Sequence, residues 1–185
     1  PKEVWFTGKL AEDLKRRDFT INAMAYNDED GLCDLFGGQE DLQKGIIRCV
    51  GDARERFTED ALRILRAVRF SAQLGFSMEE KTKEAAGALA GTLVKISAER
   101  IQSELVKLLV SPHPEEMLTA WELGITKVIL PEFDRMMETT QETPHHMYNV
   151  GVHTVEALKH IRADRILRLS MLFHDMGKPE YKTMD

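Results

Sequence analysis

What most constrains this chain is a change of period near its first quarter. Beyond Gly51-Asp52 the strand-like pieces stop and apolar residues recur every three to four positions. Ala61, Leu62, Ile64, Leu65, Val68 and Phe70 make a broad apolar stripe, which predicts an amphipathic helix of about four turns. Ser77 followed by Glu80 is a capping-box pattern for the next helix. Ser97 caps another, with Ile101, Leu105, Leu108 and Leu109 as its stripe and Pro112 and Pro114 ending it. Pro114 at a first helical position and Gly124 past the last turn bracket a further helix. From Asn149 two more apolar helices are expected, the second over 164–176 and stopped by Gly177 and Pro179.

Residues 1–50 are punctuated differently. Val4–Phe6, Leu32–Leu35 and Ile46–Val50 read as strands, Leu10–Leu14 as a short helix, and Thr20–Tyr26 as a helix capped by Asp18 or Thr20. Gly37-Gly38 turns the chain, and Gly45 falls where a helix ending near Lys44 needs a left-handed residue. Residues 131–148 are polar, contain Pro131 and Pro144, and read as a linker that also holds His145 and His146. The fold class is therefore mainly α with a small α/β remnant, in four stretches: 1–50, a helical 51–130, a linker 131–148, and 149–185. The chain opens without Met and on strand-like residues, as expected of a cut through a larger domain. A remnant of that kind exposes a sheet edge and is expected to be poorly stable alone.

Composition excludes some classes. Apolar residues make up 43% and charged residues 30%, ordinary for a globular protein. No run nears the about 18 apolar residues of a membrane span, so no membrane partner is expected. Cys33 and Cys49 have no metal spacing and read as buried thiols of a protein in a reducing cytoplasm. A net charge of −6 argues against coating nucleic acid by bulk charge. Yet 54–69 holds five arginines against three acids, so positive charge is concentrated locally.

Three constellations carry chemistry. In Arg16-Arg17-Asp18-Phe19-Thr20-Ile21-Asn22-Ala23, the arginines offer donor forks for phosphate, and Asp18 and Asn22, four apart, suit sugar hydroxyls. By spacing alone a solvated helix start is the favoured explanation of the string, and the signal is weak. In Glu59-Asp60-Ala61-Leu62-Arg63-Ile64-Leu65-Arg66-Ala67-Val68-Arg69, Asp60 and Arg63 lie one turn apart and can meet one planar ligand. The plain alternative is an exposed face of intrahelical ion pairs, which leaves the threefold arginine repeat beside the stripe unexplained. The third set is His153 with His174-Asp175, donors that suit a divalent transition metal, although such a dipeptide also fits a surface helix end.

The first two strings, with Asp34, Gly37-Gly38, Gly51-Asp52, Arg56-Phe57 and Leu74-Gly75-Phe76 in order between and after them, closely resemble the class II tRNA nucleotidyltransferases (CCA-adding enzymes) and bacterial poly(A) polymerases over residues 1–110. Ser97–Leu109, with Arg100 and Glu104, resembles a later neck motif of that family. The resemblance implies the C-terminal part of a nucleotidyltransferase head over 1–50 and a neck and body over 51–130. It implies that Arg17, Asp18 and Asn22 hold the ribose and triphosphate of an incoming nucleotide, that Asp34 and the glycine pair let the head move, that Asp60 and Arg63 read the base, and that Arg66 and Arg69 also contact the nucleotide. The implied partners are CTP, ATP and the 3′ end of tRNA. Phe173–Pro179 after His153 resembles the start of an HD domain, a metal-dependent phosphohydrolase fold, with His153, His174 and Asp175 as an incomplete ligand set.

The base-reading role can be checked from chemistry. Cytosine and adenine present an amino donor beside a ring-nitrogen acceptor, which a carboxylate and a guanidinium complement. Uracil and guanine present a carbonyl to the carboxylate and an N–H to the guanidinium, so both contacts fail. The family's two metal-holding carboxylates, which bind Mg2+ in a complete enzyme, are expected upstream of residue 1, and so this chain is expected to be inactive alone. The alternatives are a poly(A) polymerase, a metal-dependent phosphohydrolase with a divalent transition metal, and a non-catalytic tRNA-binding module.

Overall fold

A computed structural model describes residues 9–139 and 149–181. The strand expected over 4–6, His145, His146 and the second half of the expected linker lie outside those residues. The elements run α1 (Leu10–Lys15), a 3-10 turn (Thr20–Asn22), β1 (Met24–Asn27), β2 (Gly31–Asp34), α2 (Gly38–Lys44), β3 (Ile46–Ile47), α3 (Ala53–Glu59), α4 (Leu62–Leu74), β4 (Ser77–Met78) and α5 (Glu80–Leu89). They continue through a 3-10 stretch (Ala90–Lys95), α6 (Ala98–Leu109), α7 (Glu116–Glu122), α8 (Thr126–Ile129), α9 (Pro131–Glu138), α10 (Val150–His160), α11 (Arg165–Phe173) and α12 (Lys178–Tyr181). The mainly helical expectation holds.

The centre is α4. Ile64, Leu65, Ala67, Val68 and Ala72 are fully buried, and α6 lies along that face with Leu105, Leu108 and Leu109. Burying such side chains contributes about 1.5–3 kcal/mol each for the larger ones, which makes this helix pair the main source of hydrophobic stabilisation. Phe19 and Ile47 join the same core from the first fifty residues, and Val155, Leu158 and Leu172 join it from the last forty.

Two sequence expectations fail at the N-terminal end. The helix predicted over Thr20–Tyr26 is cut to a single 3-10 turn. Thr20 N–H donates to Arg48 O (2.9 Å) and Val50 N–H to Asp18 O (3.1 Å), so extended pairing takes the backbone on one side. On the other, Met24–Asn27 pairs antiparallel with Gly31–Asp34, and Asn27 Oδ1 closes the hairpin by accepting from Glu29 and Asp30 N–H. Strand pairing at both ends outcompetes helix propensity. The strand expected over Ile46–Val50 shortens to two residues plus a bridge from Cys49 to Phe19. Gly45 does adopt the left-handed conformation (φ 66°) that ends α2.

Three helix starts are built differently than the spacing suggests. Ser77 is a strand residue, paired with Ile46 in the parallel β3–β4 ladder, and Glu79 caps α5 by accepting from Thr82 N–H at 2.8 Å. Ser97 occupies the cap position of α6 without a side-chain capping bond. Pro114 lies in the turn before α7, where its carbonyl accepts from Met117 N–H, rather than at the first helical position. Cys49 is buried, which pushes its thiol up to about 12, whereas Cys33 is half-buried.

The segment 131–148 is not linker from its start. Pro131 opens α9, whose Phe133, Met136 and Met137 are buried, because the polar residues there alternate with an apolar face at helical spacing. Helix α9 packs on α8 and α10, and α11 packs on α6, so the hydrophobic core continues through the boundary expected near 130.

Candidate nucleotide site and a second histidine cluster

A cleft of about 460 Å³ opens where the first fifty residues meet α4 and α6. Arg17, Asp18, Asn22, Asp60, Leu62, Arg63, Arg66 and Arg100 line it, four arginines against two aspartates. The positive balance the composition hid is therefore real and local, and it suits an anionic ligand.

Each side chain is held by a recognisable device. Next to Phe19, whose backbone is extended, the Asp18 carboxylate meets α4, where Oδ2 accepts from Arg66 Nε at 2.8 Å. The other oxygen accepts from Phe19 N–H (2.9 Å) and Asn22 Nδ2 (3.3 Å), so Asp18 and Asn22 meet through the 3-10 turn rather than along one helix face. Arg66 also lies 5.4 Å from the Phe70 ring, which stands edge-on to Phe19. Arg17 is tied to Asp13 at 3.1 Å and reaches the Asn22 carbonyl at 3.4 Å.

Asp60 sits in the break between α3 and α4. Its Oδ1 accepts from Leu62 N–H (3.1 Å), and its Oδ2 accepts from Arg100 at 2.8 Å. Arg63, one turn on, donates to Glu59 Oε2 (2.7 Å), to Arg56 O (3.2 Å) and to Arg16 O (2.8 Å). Asp60 and Arg63 thus face the same cleft but carry different partners. Both are accessible, and neither is walled inside the core.

Arg69 stands apart. It is 7% exposed, donates to Glu104 Oε2 (2.8 Å) and Gln73 Oε1 (2.6 Å), and stacks 3.6 Å from the Phe70 ring centroid. It does not line the cleft, and its charge is met by Glu104 in a buried ion pair. Burial lowers its pKa. Arg100 is the opposite case. It enters the cleft from α6 and was legible only as part of a later motif, because its partner Asp60 is forty residues earlier.

Asp34 and the glycine pair form a helix start. Asp34 accepts from Gly38 N–H (2.8 Å) and Gln39 N–H (2.9 Å). Partial burial pushes its carboxyl up, but these backbone donors outweigh that and hold it below the ordinary carboxylate value. A Cβ at Gly38 would lie 2.4 Å from Thr20 O, so only glycine lets α2 dock this closely on the turn carrying Asn22.

The third constellation also comes together. One donor atom each of His153, His174 and Asp175 lies within 4.8 Å of the others. His174 Nδ1 faces Met171 O at 2.6 Å and must donate there, which leaves Nε2, 3.1 Å from Asp175 Oδ2, as its available lone pair. Lys178 Nζ occupies the same Asp175 oxygen at 2.7 Å.

With this geometry in hand, likeness to known proteins is informative. The sequence model of the Poly A polymerase head domain matches residues 1–48, and that of the probable RNA and SrmB-binding site of polymerase A matches 75–137. The two models together match more than half of the chain, and the chain belongs to the family of class II tRNA nucleotidyltransferases and bacterial poly(A) polymerases. Its similar relatives are CCA-adding enzymes. That of Leuconostoc mesenteroides is 54% identical over 118 residues, covering 64% of this chain and 29% of the relative. That of Lactobacillus helveticus is 44% identical over 154 residues, covering 83% and 39%. The crystal structure of the Bacillus stearothermophilus CCA-adding enzyme in complex with CTP superposes with a TM-score of 0.75 at 34% identity, covering 93% of this chain and 41% of that one. The Thermotoga maritima CCA-adding enzyme complexed with tRNA gives 0.63 at 28%, covering 95% and 45%. The chain thus spans roughly three to four tenths of the length of the curated relatives named here. No helix among the described residues is long and apolar enough to cross a membrane.

Proposed function

We propose that this chain carries the nucleotide-selecting site of an enzyme that adds CCA to the 3′ end of tRNA from CTP and ATP. The observation that supports it is the convergence of Asp60 and Arg63 with Arg17, Asp18, Asn22 and Arg66 on one cleft. Arg17 and Arg66 supply charge for a triphosphate, and Asn22 supplies a donor and an acceptor for ribose. Asp60 accepts from the exocyclic amine of cytosine or adenine while Arg63 donates to the ring nitrogen. Arg100, already on Asp60, sets which way that carboxylate points.

These residues do not suit a magnesium pair, because both cleft carboxylates are committed to arginines. The chain's own contribution is recognition. Isothermal titration of the 185-residue chain with the four ribonucleoside triphosphates tests it. CTP and ATP are expected to bind about tenfold or more tightly than UTP and GTP, the difference that one or two unpaired polar contacts make. Equal binding of all four sinks the reading, and selectivity for ATP over CTP would favour a poly(A) polymerase.

A second reading rests on the histidine cluster. His153, His174 and Asp175 present two imidazoles and a carboxylate, a donor set that fits a divalent transition metal as in HD-type phosphohydrolases. A metal held there would act as a Lewis acid on a phosphate ester. Titration with Mn2+ or Zn2+ is expected to show one binding event that disappears in His153→Ala. Retention of binding in that variant would remove the cluster as the site.

A further inference from the structure

Arg63 is held by an apparatus that never touches the cleft. Arg56, on the last turn of α3, has an 11% exposed side chain and does not line the cleft. Its Nη1 donates to Lys15 O at 3.1 Å and its Nη2 to Glu59 Oε1 at 2.5 Å. The second oxygen of Glu59 accepts from Arg63, whose other amino group donates to Arg16 O at 2.8 Å. Two guanidiniums therefore satisfy successive carbonyls at the end of α1, and one carboxylate ties them together.

We propose that Arg56 is a positioning residue for base selection, an inference that rests on reading Asp60 and Arg63 as the pair facing the base. A guanidinium has five N–H donors in a rigid plane. Arg63 spends three of them on Glu59, Arg56 O and Arg16 O, which fixes the direction of the remainder. Glu59 is 47% exposed, so only Arg56 on one side and Arg63 on the other keep it from swinging into water. Loss of Arg56 frees Glu59 and strips Lys15 O of its donor. Arg63 keeps the carbonyls of Arg56 and Arg16 but loses the fixed carboxylate beside them, and its free donors then sample a wider range of directions. The phosphate-facing arginines, Arg17 and Arg66, are held by other partners and keep their grip. A merely structural Arg56 would weaken all four nucleotides by one common factor. A positioning Arg56 changes the ratio between them.

The test is calorimetric titration of the chain with CTP and UTP for wild type, Arg56→Ala, Arg56→Lys and Glu59→Gln, with a melting curve for each. Arg56→Ala is expected to narrow the UTP-to-CTP ratio of dissociation constants by about tenfold, with CTP affinity falling about threefold or less. Lysine, a compact charge on a flexible stem without the rigid planar fork, is expected to recover only part of the ratio. Should Arg56→Ala fail to fold, Glu59→Gln carries the test and is expected to narrow the ratio likewise. A selective wild type whose folded variants keep the full ratio overturns this inference alone. A wild-type ratio of one overturns the parent reading, and this inference with it.

Discussion

At the scale of the residue, the arginine row on α4 shows what spacing can and cannot say. Positions three apart fall about 60° short of a full helical turn, so a row at 63, 66 and 69 rotates steadily around the axis. Arg63 and Arg66 reach the cleft, and by Arg69 the rotation has carried the side chain into the core. The sequence carries the drift, but only the packed partner, Glu104 on α6, tells how a buried guanidinium is tolerated there. Glu104 is 4% exposed and bonded to both Arg69 and Lys107. Burial alone would raise its carboxyl, yet Lys107 and Arg69 outweigh it and hold the group below its ordinary 4.5. Because the folded value lies below the unfolded one, the contribution to stability is complete above about 4.5 and is lost as pH falls through the lower folded value. Glu104→Gln is expected to cost about 3 kcal/mol near neutrality by leaving Arg69 uncompensated. Urea unfolding at a series of pH values should show the gap to wild type narrowing towards acid; a gap independent of pH would contradict the pairing.

At the scale of the element, helices were legible where an apolar stripe ran for three turns or more. α4, α6 and α10 are of this kind and α11, of nine residues, falls only a little short; Asn149 and Asp164 cap the last two through their side chains. What misled was the short element. Thr20–Tyr26 has a plausible cap and some apolar residues, but its backbone is claimed by partners at 31–34 and 48–50 that no local window contains. The same non-local pairing is what aims Asp18 and Asn22 at the cleft. The expected constellation therefore assembles, by a local geometry other than the helix face that the spacing suggests. Likewise α9 was hidden because its polar residues and proline resemble a linker's, although proline at the first turn is where a helix accepts it.

At the scale of the molecule, one side chain joins what the sequence divided. Arg168 of α11 is 4% exposed and donates to Leu109 O at the end of α6 (2.9 Å), to Ile161 O at the end of α10 (3.0 Å) and to Arg162 O (3.3 Å). Burial lowers its pKa, since those carbonyls solvate the charge less fully than water does. Ile161 and Arg162 belong to the same C-terminal stretch, so peeling those helices away breaks the one crossing bond, to Leu109 O, and uncovers the apolar faces with Val155, Leu158 and Leu172 that join the shared core; neither part has an inexpensive route to separate from the other. Scanning calorimetry of the chain should accordingly record a single endotherm, its van't Hoff and calorimetric enthalpies agreeing, where a boundary near residue 130 would give two. In Arg168→Met the same trace should split or broaden. What reads along the chain as a row of modules would then behave, when heated, as one cooperative unit locked by a single buried cation.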